Sequence, residues 1–221
     1  MGTPSFAVPI LKALHKKKYL ISATYTQPPQ KSQRGQRYNK SPIHVISEEL
    51  NIECRTPRIL KGNNEEFNFF KKLDVDIVIV VAYGQIIPND FLDLSKKGFI
   101  NIHASLLPKW RGAAPIQRSI INLEKETGIS IMKIGEKLDT GPVCNSYKID
   151  IKENDNAETI STKLSILASE KISENIDGIL DDTVRFKEQD HNNATYASKI
   201  KKSEGEIKWS DNAENIIGKI N

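Results

Sequence analysis

Asn101 and His103 stand two residues apart at the end of the run Phe99-Ile100-Asn101-Ile102-His103. In extended backbone they project to one side. An amide donor beside an imidazole suits acyl transfer: one steadies a developing oxyanion and the other handles a proton. The same two residues would serve equally well satisfying backbone groups at a turn, where such residues are common. On the pair alone the two readings balance. Beyond it, Ser105-Leu106-Leu107-Pro108 forms a loop whose backbone could cradle a planar ring between apolar side chains. Arg111-Gly112 then leads into a helix, offering a guanidinium and a helix N-terminus to an anionic group. Asp139 opens an Asp-Thr-Gly turn. As a buried carboxylate it would orient His103 or raise its basicity; taken alone, an aspartate there is more often an ordinary turn residue.

What is missing narrows the chemistry. No serine or cysteine stands in a nucleophile-elbow setting, so a covalent acyl-enzyme has no support. The sequence has no Walker-type loop, no dinucleotide-type glycine fingerprint and no metal-ligand spacing. By elimination a site here runs direct transfer between two bound substrates, with no metal.

The elements that must hold these residues alternate. Helical spacing runs from Pro4 to Lys17 and a strand from Tyr19 to Thr26, broken by Pro28-Pro29. Gln30 to Asn39 reads as a surface loop, and Ser41-Pro42 opens a helix to Leu50. Phe67 to Leu73 closes another helix. The β-branched run Val75 to Ala82 is a strand buried on both faces of a parallel sheet. A short helix over Pro88 to Leu94 and a strand over Gly98 to His103 follow. Ala113 to Asn122 is helical, Ile129 to Ile134 and Val143 to Ile149 are strands, and Ala157 to Leu180 is a long amphipathic helix. After Arg185 the pattern loosens until a last helix over Asn212 to Ile220. This alternation predicts an α/β fold with a doubly wound, mostly parallel sheet, whose ligands gather outside the carboxyl ends of strands. Asn101 and His103 lie at such an end.

Length and composition fit a soluble globular protein: 221 residues, 38% hydrophobic and 27% charged. The longest apolar run, Val75 to Tyr83, is interrupted by Asp76 and too short to span a bilayer. Met1-Gly2-Thr3-Pro4 shows no leader pattern. Cys54 and Cys144 read as idle thiols of a reducing, cytoplasmic compartment. A net charge of +4 excludes wholesale nucleic-acid binding. Yet Gln27 to Ser47 carries Lys31, Arg34, Arg37, Lys40 and His44 without one acidic residue, which points to an anionic partner on one patch. Monomer is the default state.

"NIHASLLPKWRG" with "LDTGP" downstream resembles the folate-dependent formyltransferases. "MGTPSFAVPIL", "TQPPQKSQRGQ", "VVAYGQIIP", "WRGAAPIQRSI" and "TYASKIKKSEGEIKWS" look like the methionyl-tRNA branch of that family. The resemblance covers nearly the whole chain and implies a Rossmann-like formyltransferase fold. It implies Asn101, His103 and Asp139 as the catalytic trio and Ser105, Leu106, Leu107 and Pro108 as the tetrahydrofolate-binding segment. The implied reaction moves a formyl group from 10-formyltetrahydrofolate to the methionine amino group of initiator methionyl-tRNA. Lys31, Arg34, Arg37 and Lys40 would contact the tRNA, with Arg34 matching the key arginine of the family's basic loop. That loop read without the resemblance is a solvated tip. The family also has a strand ahead of Gly-Thr-Pro and a C-terminal OB-type barrel. The resemblance therefore implies a catalytic domain over 1–185, a tail and linker start over 186–221, an absent barrel, and a central strand whose absence would strip its neighbours of ladder partners. Two further readings stay open: transfer to a nucleotide-sugar or other small amine, and an inactive folate- or RNA-binding remnant.

Overall fold

The computed structural model describes residues 1–32 and 37–221, with nothing described of the side chains at 31, 32 and 37. The chain divides into two compact units: Met1–Ile102 with Ala168–Val184, and His103–Leu167 with Arg185–Asn221.

The first unit opens with a 3-10 turn at Ser5–Ala7 and helix α1 (Val8–Lys16), which buries Ile10, Leu11 and Leu14 at helical spacing. Strand β1 is only Thr24–Tyr25. The basic stretch is not a plain loop. Strand β2 (Gln30–Ser32) pairs antiparallel with β3 (Arg37–Asn39), Gln30 opposite Asn39. Helix α2 (Pro42–Glu49) starts as its sequence requires: the Ser41 hydroxyl accepts from the His44 amide at 3.1 Å and Pro42 fills the first turn. Strand β4 (Cys54–Arg55) runs parallel to β1. Helix α3 (Asn64–Lys72) is capped by Asn63, with Glu65 and Glu66 in its first turn and Lys71 and Lys72 in its last, matching the helix dipole. Strand β5 (Val78–Val80), helix α4 (Asn89–Leu92) and strand β6 (Phe99–His103) follow, β5 and β6 parallel with Val80 opposite Asn101.

Phe70 of α3 centres the core of this unit, with ring centroids 5.7 Å from Tyr25, 5.6 Å from Phe91 and 5.9 Å from Phe99. Beside them lies a polar cluster around the buried Glu66. Glu66 takes Arg55 through both carboxylate oxygens, at 2.9 and 3.1 Å, and accepts the Tyr25 hydroxyl at 2.8 Å. Burial first, then the Glu66 hydrogen bond, pushes the Tyr25 phenol well above its ordinary range.

The strands predicted over Tyr19 to Thr26 and Val75 to Ala82 are shorter than their hydrophobic patterns. The reason lies in their pairing. Met1 and Gly2 bridge them at one end: the Gly2 amide donates to Tyr25 O at 2.8 Å and the Val81 amide to Met1 O at 2.9 Å. Behind this bridge is an apolar cavity of about 320 Å³ walled by Leu14, Leu20, Ile77 and Ile176. Leu20 to Ala23 and Asp76 to Ile77 run along it outside any strand, because strand geometry is held by ladder partners rather than by composition.

The second unit holds β7 (Arg111–Gly112), α5 (Pro115–Ile121), β8 (Glu126–Lys133) and β9 (Val143–Asp150). Helix α6 (Ala157–Leu180) begins here, and its residues from Ala168 onward belong to the first unit. Strand β8 is buried from Thr127 to Met132 and pairs antiparallel with β9, whose residues alternate in exposure. Strand β10 (Tyr196–Ala197) pairs parallel with β7, and α7 (Ala213–Ile220) follows. No spacing signal foretells the β7–β10 pair, since two-residue strands carry no period. Among the described residues no helix is long and apolar enough to cross a membrane.

Candidate active site

The second unit contains His103, Ser105 to Pro108 and Asp139, and it brings His103 and Asp139 together. His103 is 6% exposed at the end of β6. Its Nε2 lies 2.8 Å from the Trp110 carbonyl oxygen. A carbonyl only accepts, so Nε2 carries the hydrogen and Nδ1 is the nitrogen left for chemistry. That Nδ1 faces Asp139 Oδ2 at 3.7 Å, beyond hydrogen-bond length and within ion-pair distance. The direct grip on the ring thus comes from a main-chain oxygen. Asp139 adds field.

Asp139 sits in left-handed backbone at φ 50°, a conformation that Asp tolerates better than most residues. Its Oδ2 accepts from the Gly112 amide at 2.8 Å. Gly112 itself has φ 121°, and a Cβ there would meet Ala197 O at 2.7 Å. Glycine is therefore needed where β7 meets β10 and offers its amide to Asp139.

The sequence reading offers the Arg111 guanidinium to an anion. The structure turns it inward instead. Arg111 is 2% exposed; Nε and Nη2 donate to Gln189 Oε1 at 3.1 and 2.7 Å, and Nη2 also to His191 Nδ1 at 2.8 Å. Gln189 and His191 fall in the stretch whose pattern loosens, and no motif marks them.

The segment 105–108 is anchored through its polar atoms. Ser105 donates to Lys109 O at 2.6 Å. The Ser130 hydroxyl of β8 donates to Ser105 O at 2.8 Å, accepts from the Leu107 amide at 3.0 Å, and lies 2.8 Å from the Ser146 hydroxyl. Gly128, two residues earlier on β8, leaves room for Leu106: a Cβ there would come within 2.5 Å of Leu106 Cδ2 and 2.1 Å of Tyr147 O. Leu106, Leu107 and Pro108 stay half-buried. A rigid backbone thus presents an apolar edge suited to a flat heterocycle. Ser130 and Gly128 are supports that the sequence reading does not single out.

Asn101 lies two residues before His103 on β6 and shares its face by strand alternation. Of the basic residues, Lys31 and Arg37 belong to the β2–β3 hairpin. Lys40 pairs with Glu48, at 2.5 and 2.7 Å, the first acidic residue after the acid-free stretch. Arg34 lies outside the described residues. No group of three or more His, Cys, Asp or Glu that could hold a metal occurs among the described residues.

Known proteins resemble this chain along its length. The family profile described as "Formyl transferase" matches residues 1–176. The methionyl-tRNA formyltransferase of Pelagibacter ubique (strain HTCC1062) is 75% identical over all 221 residues, which span 71% of that protein. That of Brucella anthropi is 42% identical, again over the whole chain and 72% of its own length. Among solved structures, an N-formyltransferase from Helicobacter canadensis, in complex with folinic acid and dTDP-3-aminofucose, superposes with a TM-score of 0.75 at 21% identity, over 99% of this chain and 77% of that one. Phosphoribosylglycinamide formyltransferase from Anaplasma phagocytophilum gives 0.67 at 19% identity, over 83% and 85%. These two carry the fold alone: mixed α/β with mostly parallel sheets. Similarity of this depth along the whole sequence settles its place: the chain belongs to the formyl transferase family.

Proposed function

We propose that this chain transfers a formyl group from 10-formyltetrahydrofolate to the methionine amino group of methionyl-initiator tRNA, for translation initiation in the cytoplasm. The observation that carries the reading is the 75% identity to a methionyl-tRNA formyltransferase over all 221 residues. The His103–Asp139 pair, with its imidazole buried, gives that similarity a chemical centre.

The folate donor is a co-substrate. The anchored 105–108 segment fits it: Leu106, Leu107 and Pro108 offer apolar contact to a flat ring, and the backbone beneath them is already fixed by Ser130. The methionine amine attacks the formyl carbon, a tetrahedral oxyanion forms, and the bond from that carbon to the folate nitrogen breaks. Asn101 donates its side-chain amide to the oxyanion. His103 takes the amine proton on Nδ1 and returns it to the leaving nitrogen. Asp139 stabilises the imidazolium that forms in between and holds an ordered water.

Lys31, Arg34, Arg37 and Lys40 meet the tRNA phosphates, so binding weakens with salt. The remaining assignments are a catalytic domain over 1–185, a segment 186–221 leading to a linker, and a monomer.

The test is formylation of methionyl-initiator tRNA with 10-formyltetrahydrofolate. Formyl-methionine forms if the reading holds; preference for a nucleotide-sugar amine, or no product at high enzyme, overturns it. Arg34→Ala should raise KM for tRNA more than KM for the folate, and equal effects would sink the tRNA assignment.

A further inference from the structure

The amide of Gln189 is buried, 8% exposed, and every hydrogen-bonding position on it is used. Its oxygen accepts Nε and Nη2 of Arg111. Its nitrogen donates to the main-chain oxygens of Asp139 and Gly141, at 2.9 and 2.7 Å. Chemistry fixes this orientation: a guanidinium only donates and a main-chain carbonyl only accepts, so the amide cannot flip. The peptide segment it grips starts at Asp139, whose backbone is left-handed and whose carboxylate faces His103. Arg111 is followed by Gly112, whose amide holds that same carboxylate.

From this geometry we infer that Gln189, locked by Arg111, is a positioning residue: it braces the 139–141 turn so that the Asp139 carboxylate stays aimed at Nδ1 of His103. Two grips meet on one aspartate. Gln189 holds its main chain, and the strand residue next to Arg111 holds its side chain. The Arg111 charge has no carboxylate within ion-pair distance among the described residues, and it is held by neutral acceptors, Gln189 Oε1 and an unprotonated His191 Nδ1. The Asp139 carboxylate therefore remains directed at the imidazole rather than neutralised by the buried guanidinium. Glutamate could not replace the amide. It would suit Arg111 better, yet it would set an acceptor against two carbonyls and release the turn.

Gln189→Glu separates this role from packing, because it keeps the shape and the arginine partner and turns the two donated bonds into an acceptor facing two carbonyls. The brace rests on the proposed function for its activity readout, so the full chain is read in two ways. In the formylation assay kcat should fall about ten- to a hundredfold, as small misplacements of catalytic groups do, with KM for tRNA and folate within about twofold of wild type. Its thermal midpoint should fall, since two buried carbonyls lose their donor, with the chain still folded at the assay temperature. Without any substrate, the Gly112 amide proton resonance should leave its hydrogen-bonded position in Gln189→Glu, moving in the same direction as in Asp139→Ala. Arg111→Lys keeps the charge but loses the two-nitrogen fork, and should show the same two changes in smaller degree. An unmoved Gly112 resonance in both variants overturns the brace, as does unchanged kcat in a wild-type chain that turns over. A wild-type chain that formylates nothing would overturn the function and leave the resonance to decide the brace.

Discussion

Each unit sets an arginine near a carboxylate, half-buried in the first and buried in the second, and the two arrangements are opposite in kind. In the first, Arg55 and Glu66 close on each other through two hydrogen bonds, and Tyr25 donates a third. In the second, Arg111 is held by an amide and an imidazole, while Asp139 is held by a backbone amide and faces His103. The first network satisfies itself and has nothing left over. The second spends its arginine on holding the chain and leaves one carboxylate and one imidazole nitrogen directed outward from their own supports. A self-satisfied cluster holds structure; a cluster with one interaction withheld can act on something else.

The sharpest way to break this contrast is to cut each network at its centre. His103→Ala should lower kcat by roughly a hundred- to ten-thousand-fold with little change in thermal midpoint, measured by formylation and calorimetry. Full activity in that variant would remove the assigned proton step. Glu66→Gln should do the reverse. Breaking this two-bond contact, with Glu53 and Glu65 still 3.6 and 3.9 Å from the guanidinium, should lower unfolding free energy by about 1–2 kcal/mol, while kcat of the folded fraction stays near wild type. A drop in kcat as large as that of His103→Ala would show that the two units are not so differently employed.

Ser130→Ala tests the support of the 105–108 segment. It removes bonds to Ser105 O, the Leu107 amide and the Ser146 hydroxyl, and should destabilise by about 1–3 kcal/mol. It should also raise KM for the folate more than KM for tRNA; the opposite order would free the segment from its assigned role. The smallest effect belongs to a half-buried pair. The Arg118 hydrogen bond holds the Glu204 carboxyl down at about 2. A carboxyl whose folded value is depressed adds stability at pH above its unfolded value, lost as pH falls toward the folded one. The thermal midpoints of wild type and Glu204→Gln should therefore differ slightly at neutral pH and converge as pH falls from about 5 toward 2.

Local signals made part of this molecule legible. The helix expected over Ala157 to Leu180 matches α6 from end to end, and the Ser41-Pro42 start holds because cap and proline act within one turn. His103 and Asp139 could be named from residue type, turn chemistry and family resemblance. What stayed hidden is whatever a distant partner decides. Tyr19 to Ala23 has strand composition and is not strand, because a ladder needs a neighbour. Arg111 looks free for an anion until Gln189, 78 residues on, takes it. Gln189 itself stands in a polar stretch with no period and no motif. The β2–β3 hairpin was hidden for a further reason: its turn signals read as loop, and its pairing adds only three residues a side.

The grip on His103 has a consequence in time. Trp110, whose carbonyl holds the ring, is itself held by the hydroxyl of Thr195, 85 residues later, and Arg111 donates to the carbonyl of that same threonine. Chains emerge from the ribosome N-terminus first and fold in the order they appear. The strand carrying the histidine is therefore made before Thr195, which holds the residue whose carbonyl sets its ring. A nascent chain that stops ahead of Thr195 lacks the hydroxyl that holds Trp110, and with it the outer support of the histidine's hydrogen bond.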